Sequence, residues 1–168
     1  VRPRQSEKIE AIRKVAAAVR LLSDGNVAGV IHCAEARTGI DIYLGIGGAP
    51  EGVLSAAALR CIGGQMQTRL IIDTEELRER VKKMGIKDPK KKYEIEDMVK
   101  GDCLFSATGV TTGAMLRGVV FGKDVIETET VVMRSATGTV RRVIGEHRAF
   151  AKLQLGEQYL CPGPPASP

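Results

Sequence analysis

A glycine-rich octapeptide at residues 45–52, Gly-Ile-Gly-Gly-Ala-Pro-Glu-Gly, constrains this chain more than any other feature. It follows the apolar run 40–44, which predicts a strand, and precedes the run 53–60, which predicts a helix. A glycine turn at this junction lets backbone N–H groups approach a bound anion, and the helix N-terminus adds a partial positive charge. Glu51 falls in the first helical turn, where a carboxylate is favoured and can hold a metal cation beside the anion. The octapeptide therefore indicates phosphate chemistry.

The bulk composition indicates one soluble domain. The chain has 168 residues, of which 43% are hydrophobic and 27% charged. No apolar run reaches the ~20 residues that span a bilayer, so we expect no membrane contact. The chain starts with valine rather than methionine, from which we expect that upstream sequence is missing.

Charge and cysteine usage restrict the classes of binding partner and the cellular compartment that we expect. The net charge of +5 favours anionic partners, but an aromatic content of 4% without tryptophan argues against binding nucleic acid. The four cysteines are widely spaced and form no Cys-x-x-Cys pair. This usage predicts reduced thiols and a cytoplasmic location, and neither histidine lies at zinc-ligand spacing from a cysteine.

The periodicity predicts strands that alternate with helices. Helices are predicted at 6–17, 27–36, 50–62, 73–84 and 94–99, and strands at 18–22, 40–44, 70–72, 103–107, 125–134 and 139–144. The alternation predicts a layered α/β sandwich with a mainly parallel sheet that ends in an antiparallel hairpin. We expect one α/β domain over residues 1–154 and a disordered, proline-rich tail over 155–168.

Two further segments contain residue types that suit a phosphorylated sugar. Arg2 and Arg4 flank Pro3, and two guanidinium groups on a stiff backbone could grip a phosphate, although a solvated basic terminus is the simpler interpretation. The Asp-Gly-Asn turn at 24–26 could hold sugar hydroxyls, or it could serve only as a turn and helix cap. Glu51 is open to two interpretations in the same way, as a metal ligand or as a first-turn carboxylate.

A nucleotide-binding module of the Rossmann type, without hydrolysis, is the alternative. Gly45 and Gly47 occupy the first two positions of the G-x-G-x-x-G fingerprint, but Pro50 stands at the third. Asp73, which follows the next predicted strand, could bind a ribose. The match is partial.

Taken in order, the segments 2–4, 24–26, 45–52 and 105–111 resemble the C-terminal half of class II fructose-1,6-bisphosphatase. The resemblance extends from residue 1 to about residue 148. It implies the layered α/β fold found in the C-terminal domain of sugar- and inositol-phosphatase-like enzymes. It also implies metal-dependent removal of the 1-phosphate of fructose 1,6-bisphosphate, with Mn²⁺ or Mg²⁺, in gluconeogenesis or the Calvin cycle. Sedoheptulose 1,7-bisphosphate is a second substrate to test, and a homo-oligomer is expected of the full-length enzyme.

The resemblance implies a role for eight residues of this chain. Arg2 and Arg4, with Pro3 between them, would grip the non-reacting phosphate; Asp24, Gly25 and Asn26 would meet sugar hydroxyls; Gly48 would contact the substrate through its backbone; and Glu51 would bind the metal.

Asn26 stands where the Asp-Gly-Asp pattern of the family has its second aspartate. The amide of asparagine keeps an acceptor oxygen, but it lacks the negative charge and adds donors. The catalytic threonine and the other carboxylate ligands of the family would precede Val1, so we predict no catalytic residue here. A single carboxylate does not hold a two-metal site, and we therefore expect the chain alone to be inactive.

Overall fold

The computed structural model describes residues 3–22 and 25–148, and it describes side chains from residue 6 onward. The helices are α1 (Pro3–Lys14), α2 (Asn26–Ala34), α3 (Ala49–Ile62), α4 (Glu75–Lys83) and α5 (Ile95–Met98); the strands are β1 (Leu104–Thr108), β2 (Val120–Phe121), β3 (Ile126–Arg134) and β4 (Thr139–His147). The predicted proline-rich tail lies outside the described residues. No described helix has the length and apolar character that crossing a membrane requires.

The glycine octapeptide ends where α3 begins, as its sequence predicts. Gly48 is the residue before the helix, and Pro50 stands in the first turn, where its missing N–H removes no helical hydrogen bond. The helix ends at Gly63, whose φ of 86° lies in the left-handed region that glycine adopts without strain. Local residue chemistry therefore sets both ends of α3.

The sheet is antiparallel, and the predicted mainly parallel sheet is wrong. β3 lies at its centre and pairs with β4 along its whole length, from Ile126 opposite His147 to Arg134 opposite Thr139. β1 pairs with residues 130–134 of β3 and β2 with residues 126 and 127, so both occupy the second edge of β3. The predicted hairpin between β3 and β4 is confirmed, and Gly138 closes its turn with a φ of 59°.

The helix pair α2–α3 has a buried layer on each side. On one side, Ile31 and Cys61 pack with Phe105, Val131 and Met133 of the sheet. The opposite side forms a second cluster around Val30, Ala56, Leu59 and Ile95, on which Tyr43 and Met66 also pack. The pair is thus the middle layer of the fold.

Three of the predicted strands do not form. Residues 18–22, 40–44 and 70–72 belong to no strand of the described structure, and the nearest β pairing is a single bridge between Thr68 and Tyr93. A parallel strand needs a partner that lies far away in the sequence, whereas each strand of a hairpin meets its neighbour directly. Residues 40–46 and 64–72, here called the open layer, therefore cover α2–α3 without a ladder.

Candidate functional site

The site centres on a hydrogen-bonded cluster at the start of two helices. Asn26 is the first residue of α2, and it follows Gly25, whose φ of 75° turns the chain into the helix. The Asn26 amide Nδ2 donates to Glu51 Oε2 at 3.2 Å. The Tyr43 hydroxyl donates to Asn26 Oδ1 at 2.7 Å. Asn26 and the glycine octapeptide therefore meet.

Glu51 is oriented by its own turn as well as by Asn26. The Gly48 backbone N–H donates to Glu51 Oε2 at 2.9 Å, which satisfies one of the donors that a helix leaves unpaired at its N-terminus. The carboxylate is exposed to solvent. Glu51 thus performs the structural role of a first-turn carboxylate and remains accessible to a ligand.

The absence of a side chain at Gly47 makes this arrangement possible. A Cβ atom added at Gly47 would lie 2.5 Å from Glu51 Oε2 and 2.8 Å from Asn26 Nδ2. At Gly45 a Cβ would overlap the Tyr43 hydroxyl. These two glycines therefore admit the close approach of neighbouring side chains to the backbone.

The electrostatics of the cluster keep Tyr43 as a hydrogen-bond donor. Its partial burial raises the pKa of the phenol, and the negative charges of Glu51 and Cys33 raise it further. At neutral pH the phenol is protonated and holds the Asn26 amide with its nitrogen toward Glu51. Sequence reasoning missed Tyr43, and the only indication was one aromatic hydroxyl beside the glycine turn.

The described structure brings together four of the eight predicted site residues. Gly25, Asn26, Gly48 and Glu51 form the cluster described above. The remaining four are Arg2 and Asp24, which lie outside the described residues, and Pro3 and Arg4, which begin α1 without described side chains. The phosphate-gripping role of the arginines stays a prediction.

The polar turn after β1, at residues 108–113, closes on itself. The Val119 N–H donates to the Val110 carbonyl at 3.1 Å, and the Gly118 N–H donates to Thr112 Oγ1 at 3.1 Å. The Thr112 hydroxyl therefore stabilises its own loop.

A complete metal site is not present in residues 3–22 and 25–148. Within these ranges no three His, Cys, Asp or Glu side chains converge to hold an ion. Glu51 supplies one carboxylate, and its neighbour Asn26 supplies an amide whose nitrogen faces it. Mn²⁺ and Mg²⁺ prefer about six oxygen ligands, so the described residues fit one part of such a site and not the whole.

Comparison with known proteins decides the family. Residues 1–147 match the family model of the bacterial fructose-1,6-bisphosphatases, glpX-encoded. The chain belongs to this family. The resemblance inferred from the sequence motifs is thereby confirmed.

Cyanobacterial relatives agree with the family match. A D-fructose 1,6-bisphosphatase class 2/sedoheptulose 1,7-bisphosphatase of Synechocystis is 42% identical in an alignment of 159 residues that covers 87% of this chain and 46% of that protein. The enzyme of the same name from Crocosphaera subtropica is 44% identical in an alignment of 155 residues that covers 84% of this chain and 45% of the relative. The chain spans about half the length of the curated relatives it matches.

The Rossmann interpretation loses its structural basis. The segment before the glycine turn is not a strand of the described sheet, and the third fingerprint position is Pro50. The lack of a side chain at Gly45 and Gly47 accommodates Tyr43 and Glu51 of the chain itself. A dinucleotide is therefore not needed to explain the glycines.

Proposed function

We propose that this chain is the substrate-binding half of a metal-dependent sugar bisphosphatase of the glpX-encoded family. The reaction is removal of the 1-phosphate of fructose 1,6-bisphosphate. The observation that carries the proposal is the contact between Asn26 and Glu51, because it joins the sugar-binding turn to the metal-binding turn that the family resemblance implies. The names of the relatives also support sedoheptulose 1,7-bisphosphate as a substrate.

Each residue of the cluster has a specific task in this proposal. Asp24, Gly25 and Asn26 meet sugar hydroxyls, and Gly48 contacts the substrate through its backbone. Tyr43 fixes the Asn26 amide by a 2.7 Å hydrogen bond, so it acts as a positioning residue. Glu51 provides one carboxylate to the metal.

Arg2 and Arg4, with Pro3 between them, bind the phosphate that does not react. Arginine suits this task because its planar guanidinium forms two parallel hydrogen bonds to phosphate oxygens. In this proposal the two guanidinium groups hold the substrate through that phosphate, and Glu51 holds the metal.

The metal completes the site only with ligands from the rest of the enzyme. Mn²⁺ or Mg²⁺, when bound, stabilises charge on the phosphoryl oxygens and activates water. No three potential metal ligands converge among the described residues, so Glu51 would need ligands from elsewhere, which supports the expectation that the chain alone does not turn over. A cytoplasmic, homo-oligomeric enzyme of gluconeogenesis or the Calvin cycle completes the proposal.

The test restores the missing ligands by fusion. The part of the Synechocystis enzyme that this chain does not match is fused before residue 1, and phosphate release from fructose 1,6-bisphosphate is measured with Mn²⁺ and with Mg²⁺. We expect turnover by the fusion and none by this chain alone. A folded fusion that releases no phosphate beside an active Synechocystis control would contradict the proposal.

A matched pair of carboxylate variants tests the role of Glu51 in the fusion. Glu51→Gln should lower metal-dependent turnover by about tenfold or more, because the amide is a weak metal ligand. Glu76→Gln changes a carboxylate in the first turn of α4 and should leave turnover unchanged. Equal effects of the two variants would exclude a metal-binding role for Glu51.

A further inference from the structure

The open layer carries apolar side chains on both of its faces. Tyr43 and Met66 point inward and pack on the α2–α3 pair. Ile42, Leu44 and Ile71 are 70%, 57% and 50% exposed. Segments that are apolar on both faces are typical of strands that another layer covers on the outside. The outer face of the segment 40–46 therefore has the composition of an interior surface, whereas the segment 64–72 exposes Gln65, Gln67 and Arg69 beside Ile71.

The backbone of the open layer also resembles a β-strand that lacks a pairing partner. From residue 64 to residue 72, partly buried and exposed residues alternate one by one, which is the period of a β-strand. In the part of the chain that the structure describes, the only β pairing of this segment is the Thr68–Tyr93 bridge. Backbone N–H and C=O groups of an extended segment are ready to pair with an added strand.

A groove of about 900 Å³ is lined by both segments of the open layer, among others by Ile42 and Leu44 of the first and Met66 and Thr68 of the second. Helices α2 and α5 supply further lining residues. Both open-layer segments lack a strand ladder, so an added strand could pair with either of them. Addition of a strand to exposed extended backbone is a common mode of polypeptide recognition.

We propose that the open layer is the docking surface for the remainder of the family's polypeptide, and that an extended segment of that remainder occupies the groove. The lengths support this occupant, because the Synechocystis relative carries more than half of its sequence outside the region that matches this chain. The match covers 87% of this chain, so the two proteins share the region that contains the layer. The proposal concerns burial of this surface and does not require turnover.

Thiol labelling tests the docking surface. Ile42→Cys is introduced into this chain alone and into the fusion with the unmatched part of the Synechocystis enzyme, and a water-soluble maleimide is applied before peptide mass spectrometry. We expect labelling of the cysteine at position 42 to be about 100-fold slower in the fusion, because a covered site reacts only after local opening. Labelling at the same rate in both proteins would overturn the proposal.

The matched control is Ile144→Cys on β4. Ile144 is 67% exposed, close to the 70% of Ile42, but it lies on the sheet and not on the open layer. Its labelling rate should agree within about twofold in the two proteins, since surface substitutions away from an interface change little. Equal slowing at both positions would show general occlusion and would contradict a docking surface confined to the open layer.

Two further measurements cover the other outcomes. If the fusion does not melt cooperatively, the residue aligned with Ile42 in the intact Synechocystis enzyme is replaced by cysteine; slow labelling there supports the proposal and fast labelling overturns it. Sedimentation of this chain alone detects a homodimer, and a dimer that slows labelling at position 42 would make a second copy the occupant and overturn the proposal. Slow labelling in a fusion that releases no phosphate would support the docking surface and contradict the proposed function.

Discussion

The antiparallel sheet and the open layer cover opposite faces of the same helix pair, and they differ in where their partners lie in the sequence. β3 and β4 are separated by one short turn, and β3 buries Val131 and Met133 against α2–α3. The open layer packs Tyr43 and Met66 on the other face but leaves Ile42 70% exposed. A hairpin needs only its neighbour in the chain, whereas an extended segment without an adjacent partner stays unpaired. The comparison indicates that the strands of the sheet find their hydrogen-bonding partners within the described residues, whereas the open layer has only the Thr68–Tyr93 bridge.

The largest expected effect is the difference between one substitution in the sheet and one in the open layer in the free energy of unfolding. Met133→Ala removes a side chain that is 1% exposed, and it should lower the free energy of unfolding by about 2–5 kcal/mol. Ile42→Ala removes a side chain that is 70% exposed, and it should change the same quantity by less than about 0.5 kcal/mol. Urea unfolding of the isolated chain measures both. Equal losses would show that the open layer is packed as firmly as the sheet.

The next prediction concerns the pH dependence of the free energy of unfolding, which depends on a buried thiol in the core beneath the sheet. Burial raises the pKa of the Cys61 thiol from 9.0 to about 11, and the Cys103 thiol 3.6 Å away contributes to the shift. Between pH 9 and about 11 the folded state keeps a proton that the unfolded state loses. The free energy of unfolding should therefore fall as the pH rises, by about 1 kcal/mol at pH 10.

The control for this pH effect is Cys61→Ala. Its free energy of unfolding is lower at neutral pH because a buried thiol is lost, but the part of the alkaline decline that Cys61 causes should disappear. Urea unfolding of both proteins at pH 8 and pH 10 measures the difference. An identical decline in the two proteins would mean that Cys61 ionises alike in the folded and unfolded chain.

Two glycine-to-alanine substitutions test the turn that connects the open layer to α3. Gly47→Ala places a Cβ within 3 Å of Glu51 and Asn26, so it should separate these side chains and destabilise the chain by about 1 kcal/mol. At Gly52, within α3, an added Cβ meets nothing within 4 Å. Gly52→Ala should instead stabilise by about 0.5–1 kcal/mol, because alanine favours the helix. Thermal unfolding distinguishes the two signs, and destabilisation by both variants would contradict this description of the turn.

The smallest expected effect concerns the charge of the candidate site. Asn26→Asp replaces the amide nitrogen that lies 3.2 Å from Glu51 Oε2 by a carboxylate oxygen. Two carboxylates at this distance repel, and the variant should be less stable than the parent by about 0.5 kcal/mol at pH 7. The difference should shrink as salt is added, because ions screen the repulsion between charges at the surface. A difference that does not depend on salt would exclude a charge effect.

The sequence predicted the elements whose determinants are local. Pro50 and Gly63 bracket α3, and the turn at 135–138 closes the β3–β4 hairpin, so these features follow from nearby residues. The parallel sheet was predicted wrongly because the apolar run 40–44 has the composition of a strand but no partner strand in the described residues. Pairing is a property of two segments, and one segment alone does not determine it.

The candidate site was predicted in part for the same reason. Asn26 and Glu51 are 25 positions apart, and the order of the family motifs, not their local pattern, indicated that they belong to one site. The hydrogen bond from Tyr43 to Asn26 was not predicted, because it depends on how the open layer crosses α2. The path of the open layer across α2 follows only from the packed structure.

Hydrogen exchange on the isolated chain tests the contrast between the two regions most directly. The central claim is that the strands of the sheet pair with one another and that the open layer lacks a strand partner among the described residues. The amides of residues 126–134 should exchange with protection that approaches the global free energy of unfolding, whereas those of residues 40–46 should exchange nearly as fast as in an unfolded chain. Protection of residues 40–46 equal to that of β3 would contradict the account.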